Sequence, residues 1–247
     1  MSATTDIQIA DDVRGAHSLH PVVTPPTPYH EQDGIRIFCG DNRAIAPMLG
    51  EYDLLLTDPP YGDVVSETYR ANRISPNQRK QCLAVKTTMA KQKWDDAPPE
   101  PEVLRAMMAK AKWQILWGGN YYDAMPRSRC WFVWDKDNGD NWYADCELAW
   151  TNLDKAVRKF RYRWNGMLQE NMAEKEVRYH PTQKPTALME WCIGHTEAKT
   201  ILDPWMGSGT TLIAARAKGL RADGIEINEQ YCAAAVARLS QGVLLAV

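Results

Sequence analysis

No apolar run in the 247 residues approaches the roughly 20 that a helix needs to cross a bilayer, so the sequence predicts no membrane span. The first residues, MSATTDIQIADD, lack the basic start and apolar stretch of a secretory signal, and a cytoplasmic protein is expected. C-x-x-C pairs are absent too. The six cysteines (Cys39, Cys82, Cys130, Cys146, Cys192 and Cys232) are scattered, several inside apolar runs, and read as buried reduced thiols. The five histidines are equally dispersed, so no cluster has metal-ligand spacing and no metal is expected. A large excess of charge is also missing: a net charge of -2 argues against a protein that binds polyanions over its whole surface.

The charge that is present is unevenly placed. From Arg70 to Lys93 there are seven basic residues, Arg70, Arg73, Arg79 and Lys80 among them, and no acidic one. From Lys155 to Arg163 five of nine residues are basic, including Arg158, Lys159, Arg161 and Arg163. Two local positive surfaces are therefore available on a nearly neutral protein. In the second of them Lys159 to Trp164 alternates basic and aromatic residues, and a strand would put charges on one face and rings on the other.

The length and the 45% hydrophobic content suit one α/β domain with a full core. Residues 1–30, polar and then proline-rich, read as a flexible N-terminal arm ahead of a domain over 31–247. A strand is predicted at Ile35 to Cys39, and a helical turn from Arg43 to Leu49. The continuous apolar run Asp53 to Thr57 has the pattern of a strand buried on both faces of a parallel sheet. A basic loop without clear period occupies about 62–97. Pro101 to Lys112 reads as a helix, and Trp113 to Trp117, Cys130 to Trp134 and Cys146 to Thr151 as strands. The last part alternates strand, Gly turn, helix, strand and helix, which implies a parallel sheet covered by helices on both sides.

Two motifs carry chemistry. In Thr200-Ile-Leu-Asp-Pro-Trp-Met-Gly-Ser-Gly-Thr210, Gly207 and Gly209 allow a tight turn and close approach of a ligand at a helix N-terminus, and Glu226 ends the next strand where a ribose would lie. Alone, that pattern fits a nicotinamide-dependent dehydrogenase or a structural βαβ unit nearly as well. The second motif, Asp58-Pro59-Pro60-Tyr61, leaves a buried strand with an extended backbone fixed by two prolines, and so offers a carboxylate, carbonyl acceptors and an aromatic face. An exocyclic amine has two N–H donors and a poorly nucleophilic nitrogen. Acceptors that take those hydrogens would pull the nitrogen toward a tetrahedral, nucleophilic geometry.

With both motifs present, the sequence resembles the amino-methyltransferases of DNA, whose catalytic signature is D/N/S-P-P-Y/F and whose cofactor signature is a D-x-F-x-G-x-G-like turn. The catalytic signature comes first here and the cofactor turn last, as in the beta class of that family. The resemblance covers most of residues 35–240, with Gly40-Asp41 ahead of the catalytic strand and His180-Pro-Thr-Gln-Lys-Pro185 before the cofactor strand. Trp205 and Met206 stand where the family more commonly has phenylalanine and a small residue.

The resemblance implies a Rossmann-like, doubly wound, mostly parallel seven-stranded sheet, the class I methyltransferase fold in permuted order. It implies S-adenosylmethionine as cofactor, with Asp41 at its adenine, Glu226 at its ribose, and Gly207, Ser208, Gly209 and Thr210 with Lys184 at its methionine end. Gln183, Asp203, Pro204 and Asn228 join that cofactor set. Asp58, Pro59, Pro60 and Tyr61 would hold an adenine flipped out of double-stranded DNA, and its N6 amine would attack the methyl group directly. Arg70, Arg73, Arg79, Lys80, Arg158, Lys159, Arg161 and Arg163 are candidate DNA contacts, and about 135–177 is the candidate target-recognition region. A homodimer and a place in restriction-modification are further expectations.

Cytosine-N4 methylation is the nearest alternative, since the family's cytosine members more often have serine where this chain has Asp58. RNA is a less favoured acceptor. Methylation at the ring carbon of cytosine would need a nucleophilic cysteine, typically after proline, and no Pro-Cys dipeptide occurs. A dehydrogenase would leave Asp58 to Tyr61 idle, and a catalytically silent DNA-binding module would explain only the basic segments. The geometric expectation that separates these readings is that the strands ending at Asp58 and Asp203 lie side by side at the centre of the sheet.

Overall fold

The structure, a computed structural model, describes residues 26–62, 97–123, 125–139, 144–165, 168–173, 175–177, 179 and 183–241. Most of the expected arm and nearly all of the expected basic loop, with Arg70, Arg73, Arg79, Lys80 and Cys82, lie outside the described residues. So do His180, Pro181 and Thr182. Among the described residues no helix is long and apolar enough to cross a membrane.

The expected strands form. β2 (Ile35–Cys39), β3 (Tyr52–Thr57), β4 (Ala111–Trp117), β10 (Thr200–Asp203) and β11 (Arg221–Glu226) run parallel as neighbours in the order β2-β11-β10-β3-β4. On the β4 side follow β6 (Cys146–Thr151), antiparallel to β4, then β5 (Trp131–Asp135) and β7 (Arg158–Arg161). The opposite edge is β1 (His30–Gln32), antiparallel to β2. The short strands β8 (Trp164–Asn165) and β9 (Leu168–Gln169) pair with each other outside this sheet.

The sheet thus has nine strands where seven were expected. At one edge the additional strand comes from a two-residue hairpin, in which Asp33 and Gly34 both have positive φ, 52° and 78°. A type I′ turn needs that conformation at both central positions and joins β1 to β2. The first strand among the described residues therefore begins at His30, the last residue of the expected arm. At the other edge β7 adds to β5 through the basic-aromatic segment. The expected helix from Pro101 to Lys112 is α2 (Pro101–Met108), shorter because Ala111 already pairs with Tyr52 in the β3–β4 ladder.

Continuous apolar runs arise because the central strands are covered on both faces. Leu54 and Leu56 face one core with Ile115, Trp117 and residues of α3 (Thr186–Ile193), α4 (Thr210–Ala217) and α5 (Glu229–Gln241). Leu55 faces the other core with Leu116, Leu202, Ile225 and the buried side of α2. The short helix α1 (Asn42–Ile45) follows β2, capped by the Asp41 side chain. Of the five described cysteines, Cys130, Cys192 and Cys232 are buried as expected; Cys39 and Cys146 are exposed, since each sits at a strand end where the chain enters a turn.

The expected side-by-side placement is present: Ile201 pairs with Leu54 and Leu202 with Leu55 in a parallel ladder. One rung further, buried Thr57 donates its hydroxyl to Asp203 at 2.7 Å. Burial pushes the Asp203 carboxyl up to about 6, and the donors from Thr211, Thr57 and the Trp205 N–H pull against that rise. Thr57→Val keeps the shape and removes one donor. It should cost about 1–3 kcal/mol in urea unfolding at pH 8. That cost should shrink as the pH falls through about 6, where Asp203 takes a proton and no longer needs the donor. A pH-independent difference would show that the bond does not bear on the Asp203 charge.

Candidate active site

The chain leaves β3 at Thr57 and enters Asp58-Pro59-Pro60-Tyr61, while β10 ends at Asp203 and enters the glycine turn. Because the two strands are parallel neighbours, both segments emerge at one end of the sheet and enclose a single cleft. It is lined by Asp58, Gln183, Lys184, Asp203, Trp205, Gly207, Ser208 and Thr210 among others.

Asp58 is held at both carboxylate oxygens. Tyr61 donates its hydroxyl to Oδ1 at 2.5 Å, and the Lys184 ammonium lies 2.6 Å from Oδ2 and 3.1 Å from the Tyr61 oxygen. Lys184 also lies 2.9 Å from Oε2 of Glu147 on β6, whose other oxygen is 2.6 Å from the Lys136 ammonium. Burial pushes Asp58 up, against the pull of Lys184. Burial also disfavours the Glu147 charge, but Lys184 and Lys136 outweigh it and hold that carboxyl down to about 2. For Lys184, loss of water lowers the ammonium's proton affinity while Asp58 and Glu147 raise it by more, so it stays protonated. Two carboxylates and two ammonium groups thus balance in a half-buried cluster around the buried Lys184.

The Pro59 carbonyl accepts a hydrogen bond from the buried Tyr122 hydroxyl at 2.7 Å, leaving one lone pair for a further donor. Tyr61 packs beside Tyr121, ring centroids 5.1 Å apart, and beside Gly118, where an added Cβ would fall 2.0 Å from the Tyr61 ring. Glycine at that position is therefore what seats the aromatic.

After β10, Gly207 and Gly209 take φ of 52° and 78°, the left-handed backbone expected of a tight turn into α4. Glu226, buried at the end of β11, accepts the Gly207 N–H at 3.1 Å and the Asn228 N–H at 2.8 Å. Burial pushes its carboxyl up to about 7. Asn228 caps α5 through Gln230, and Asp41 caps α1 and pairs with Arg43, so both side chains already have local structural partners. Of the expected site residues, Pro59, Pro60, Tyr61, Asp41, Pro204, Gly209, Glu226 and Asn228 do not line this cleft; the Pro204 carbonyl accepts from Asn42 at 2.9 Å. Gln183 accepts from Ser208 and from the Tyr179 N–H.

Four side chains that the sequence did not single out belong to this construction. Glu147, Tyr122 and Thr57 are described above. Arg238, half-buried on α5, donates to the Ser208 carbonyl at 2.6 Å and to the Thr210 hydroxyl at 3.2 Å, bracing the turn from behind. Its one visible signal was a cation on the apolar side of a helix.

Of the candidate DNA contacts, Arg158, Lys159, Arg161 and Arg163 are exposed on and after edge strand β7. As the alternation predicts, Phe160 and Tyr162 turn the other way and stack on each other, with centroids 5.6 Å apart. The charges are not bare: Lys159 pairs with Asp135, and Arg161 and Arg163 share Asp137. Exposed pairs of this kind are weak and yield to a competing phosphate. Among the described residues no group of three or more potential metal ligands is present.

Comparison with known proteins gives the family and the fold. A family model described as DNA methylase, for the N6/N4 methyltransferases, matches residues 66–237, beginning just after the Asp58 to Tyr61 segment. The Type II methyltransferase M2.LlaDCHI of Lactococcus lactis subsp. cremoris is 40% identical over 81 residues, 32% of this chain and 30% of that protein. The chain's match likewise spans 29% of the length of M2.DpnII of Streptococcus pneumoniae. The Type II methyltransferase M.ScaI of Streptomyces caespitosus is 26% identical over 86% of this chain and 83% of its own. Among solved structures, the cytosine-N4-specific PvuII DNA methyltransferase shares the fold, with TM-score 0.50 and 14% identity over 85% of this chain and 87% of that one. The sheet is accordingly a class I methyltransferase fold with two additional edge strands. Since the family model covers more than half of the chain, this protein belongs to the N6/N4 DNA methylase family.

Proposed function

We propose that this protein transfers a methyl group from S-adenosylmethionine to the exocyclic amine of a base in double-stranded DNA, adenine N6 in the first place. The observation that carries the proposal is the convergence of Asp58 and Asp203, from adjacent strand ends, on one cleft. The groups present suit the cofactor chemically. Asp203 and the Lys184 ammonium complement the amino and carboxylate ends of an amino acid, and a carboxylate at the end of β11 complements a ribose diol. When bound, S-adenosylmethionine supplies an electrophilic methyl group. Asp58 and the Pro59 carbonyl take the amine's two hydrogens, which localises the nitrogen lone pair for attack. Tyr61 stacks on the base. The target nitrogen is shielded in a duplex, so the base is flipped out, and the cations of β7 with those of the 62–97 segment grip the phosphates on either side.

Cytosine N4 is the second reading, because PvuII methyltransferase has the same fold and the chemistry asked of Asp58 would be the same. Adenine is preferred on the aspartate at position 58. A segment of 66 residues is also 42% identical to the DNA adenine methyltransferase YhdJ of Escherichia coli K12. The Type II relatives suggest a role in restriction-modification.

Asp58→Ala should lower methyl transfer to DNA by at least about 100-fold. S-adenosylhomocysteine affinity, measured by calorimetry, should change less than about threefold, since Lys184 keeps Glu147 as a partner. Near-normal transfer by the variant would remove Asp58 from this role.

A second expectation follows from Glu226. To accept ribose hydroxyls it must be ionised, and its carboxyl in the free protein sits at about 7. Binding then expels a proton at lower pH. Affinity for S-adenosylhomocysteine should weaken by up to about tenfold per unit as the pH drops below about 7, and this slope should flatten in Glu226→Gln. An equal slope in the variant would assign the titration to another group.

A further inference from the structure

We propose that Glu147 is a positioning residue for methyl transfer: it receives the Lys184 ammonium from Asp58, so that the Asp58 carboxylate faces the target amine without a cation on it. The proposal rests on the methyltransferase reading above and adds to it a residue on β6 that neither motif contains.

The need arises from the way Asp58 is occupied. Oδ1 accepts the Tyr61 hydroxyl and Oδ2 lies 2.6 Å from Lys184. An amine that attacks a sulfonium methyl gains positive charge at nitrogen until it releases a proton. A carboxylate beside it lowers the energy of that state, whereas an ammonium in direct contact with the carboxylate cancels most of the benefit. Asp58 therefore serves the reaction best once Lys184 has turned away.

Glu147 is built to accept it. Its Oε1 is anchored by Lys136 at 2.6 Å, and its backbone is fixed in the β5–β6 ladder opposite Trp134. Its Oε2 is sealed from solvent and 2.9 Å from the Lys184 nitrogen, yet makes no well-aligned hydrogen bond. An ion-pair partner is thus held in place beside an ammonium with three donors. A small rotation of the lysine would complete the bond and free Asp58. The other titratable groups acting on Asp58 or Tyr61 here are Asp203 and Tyr122; neither offers Lys184 a contact among its described bonds.

Glu147→Gln keeps the shape and removes the charge, leaving Lys184 wholly to Asp58. Single-turnover methyl transfer to duplex DNA should fall at least about tenfold. S-adenosylhomocysteine affinity should hold within about threefold. In a Lys184→Met background the same change should alter the rate by less than about twofold, because the residue acts through the lysine. Equal losses in the two backgrounds, or no loss in the first, would overturn the proposal.

A readout independent of DNA is the titration of Asp58 in the free protein, followed by carboxyl carbon NMR. Asp58 should titrate lower in Glu147→Gln than in the wild type, and an unchanged or higher value contradicts the proposal. Failure of the wild type to methylate DNA would overturn the functional reading alone, with the NMR comparison still deciding the role of Glu147. If Glu147→Gln does not fold, Glu147→Asp, which retains the charge but withdraws it by one methylene, should show a loss of about threefold; wild-type rates would count against the proposal.

Discussion

The 2.7 Å hydrogen bond from Thr57 to Asp203 joins residues 146 positions apart and fixes where the two functional segments stand relative to each other. It forms because β3 and β10 are parallel neighbours whose apolar side chains fill a core on each face, so a slip by one residue would send each leucine into the wrong core and disrupt the packing on both faces. From that register everything else at the cleft follows. The glycine turn, the proline pair and the helix N-terminus that face one another are all continuations of these strands.

The second determinant is electrostatic. A site that must hold carboxylates away from water needs them neutralised by something other than solvent. On the side of Asp58, Lys184 and Lys136 balance Asp58 and Glu147. On the side that faces the glycine turn, no ammonium is paired with Asp203 or Glu226 among their described contacts. Hydroxyl and backbone N–H donors hold them instead, and burial raises both carboxyls. The cleft is therefore lined by a paired carboxylate, Asp58, and by an unpaired one, Asp203, with Glu226 beside it, which a polar ligand can help to satisfy. That difference suits a reaction in which the cofactor and the base approach from opposite sides.

Sequence patterns reached the central architecture because they are local. A run of leucines ending at Asp-Pro, and a second Asp-Pro before a glycine turn, each declare a buried strand and its abrupt end without knowledge of the rest of the chain. Glu147 could not be found that way. In sequence it is one acid in a strand of mixed burial, and its meaning depends on Lys136 and Lys184 arriving from the turn after β5 and from the segment before α3. Arg238 was hidden for the same reason. The hairpin at the first edge is a different case: Asp33-Gly34 is a strong local turn signal, but the proline-rich residues before it drew the boundary of the arm too far along the chain. At β7 the alternation correctly predicted which faces the rings and charges take, while Asp135 and Asp137, which partly neutralise those charges, come from a neighbouring strand and the turn after it.

The most direct measurement is to incubate the protein with unmethylated duplex DNA and S-adenosylmethionine labelled in its methyl group, digest the product to nucleosides and identify the one that carries label. The account predicts label on an exocyclic nitrogen, as N6-methyladenine. DNA that stays unlabelled, or label on a ring carbon of cytosine, would contradict it.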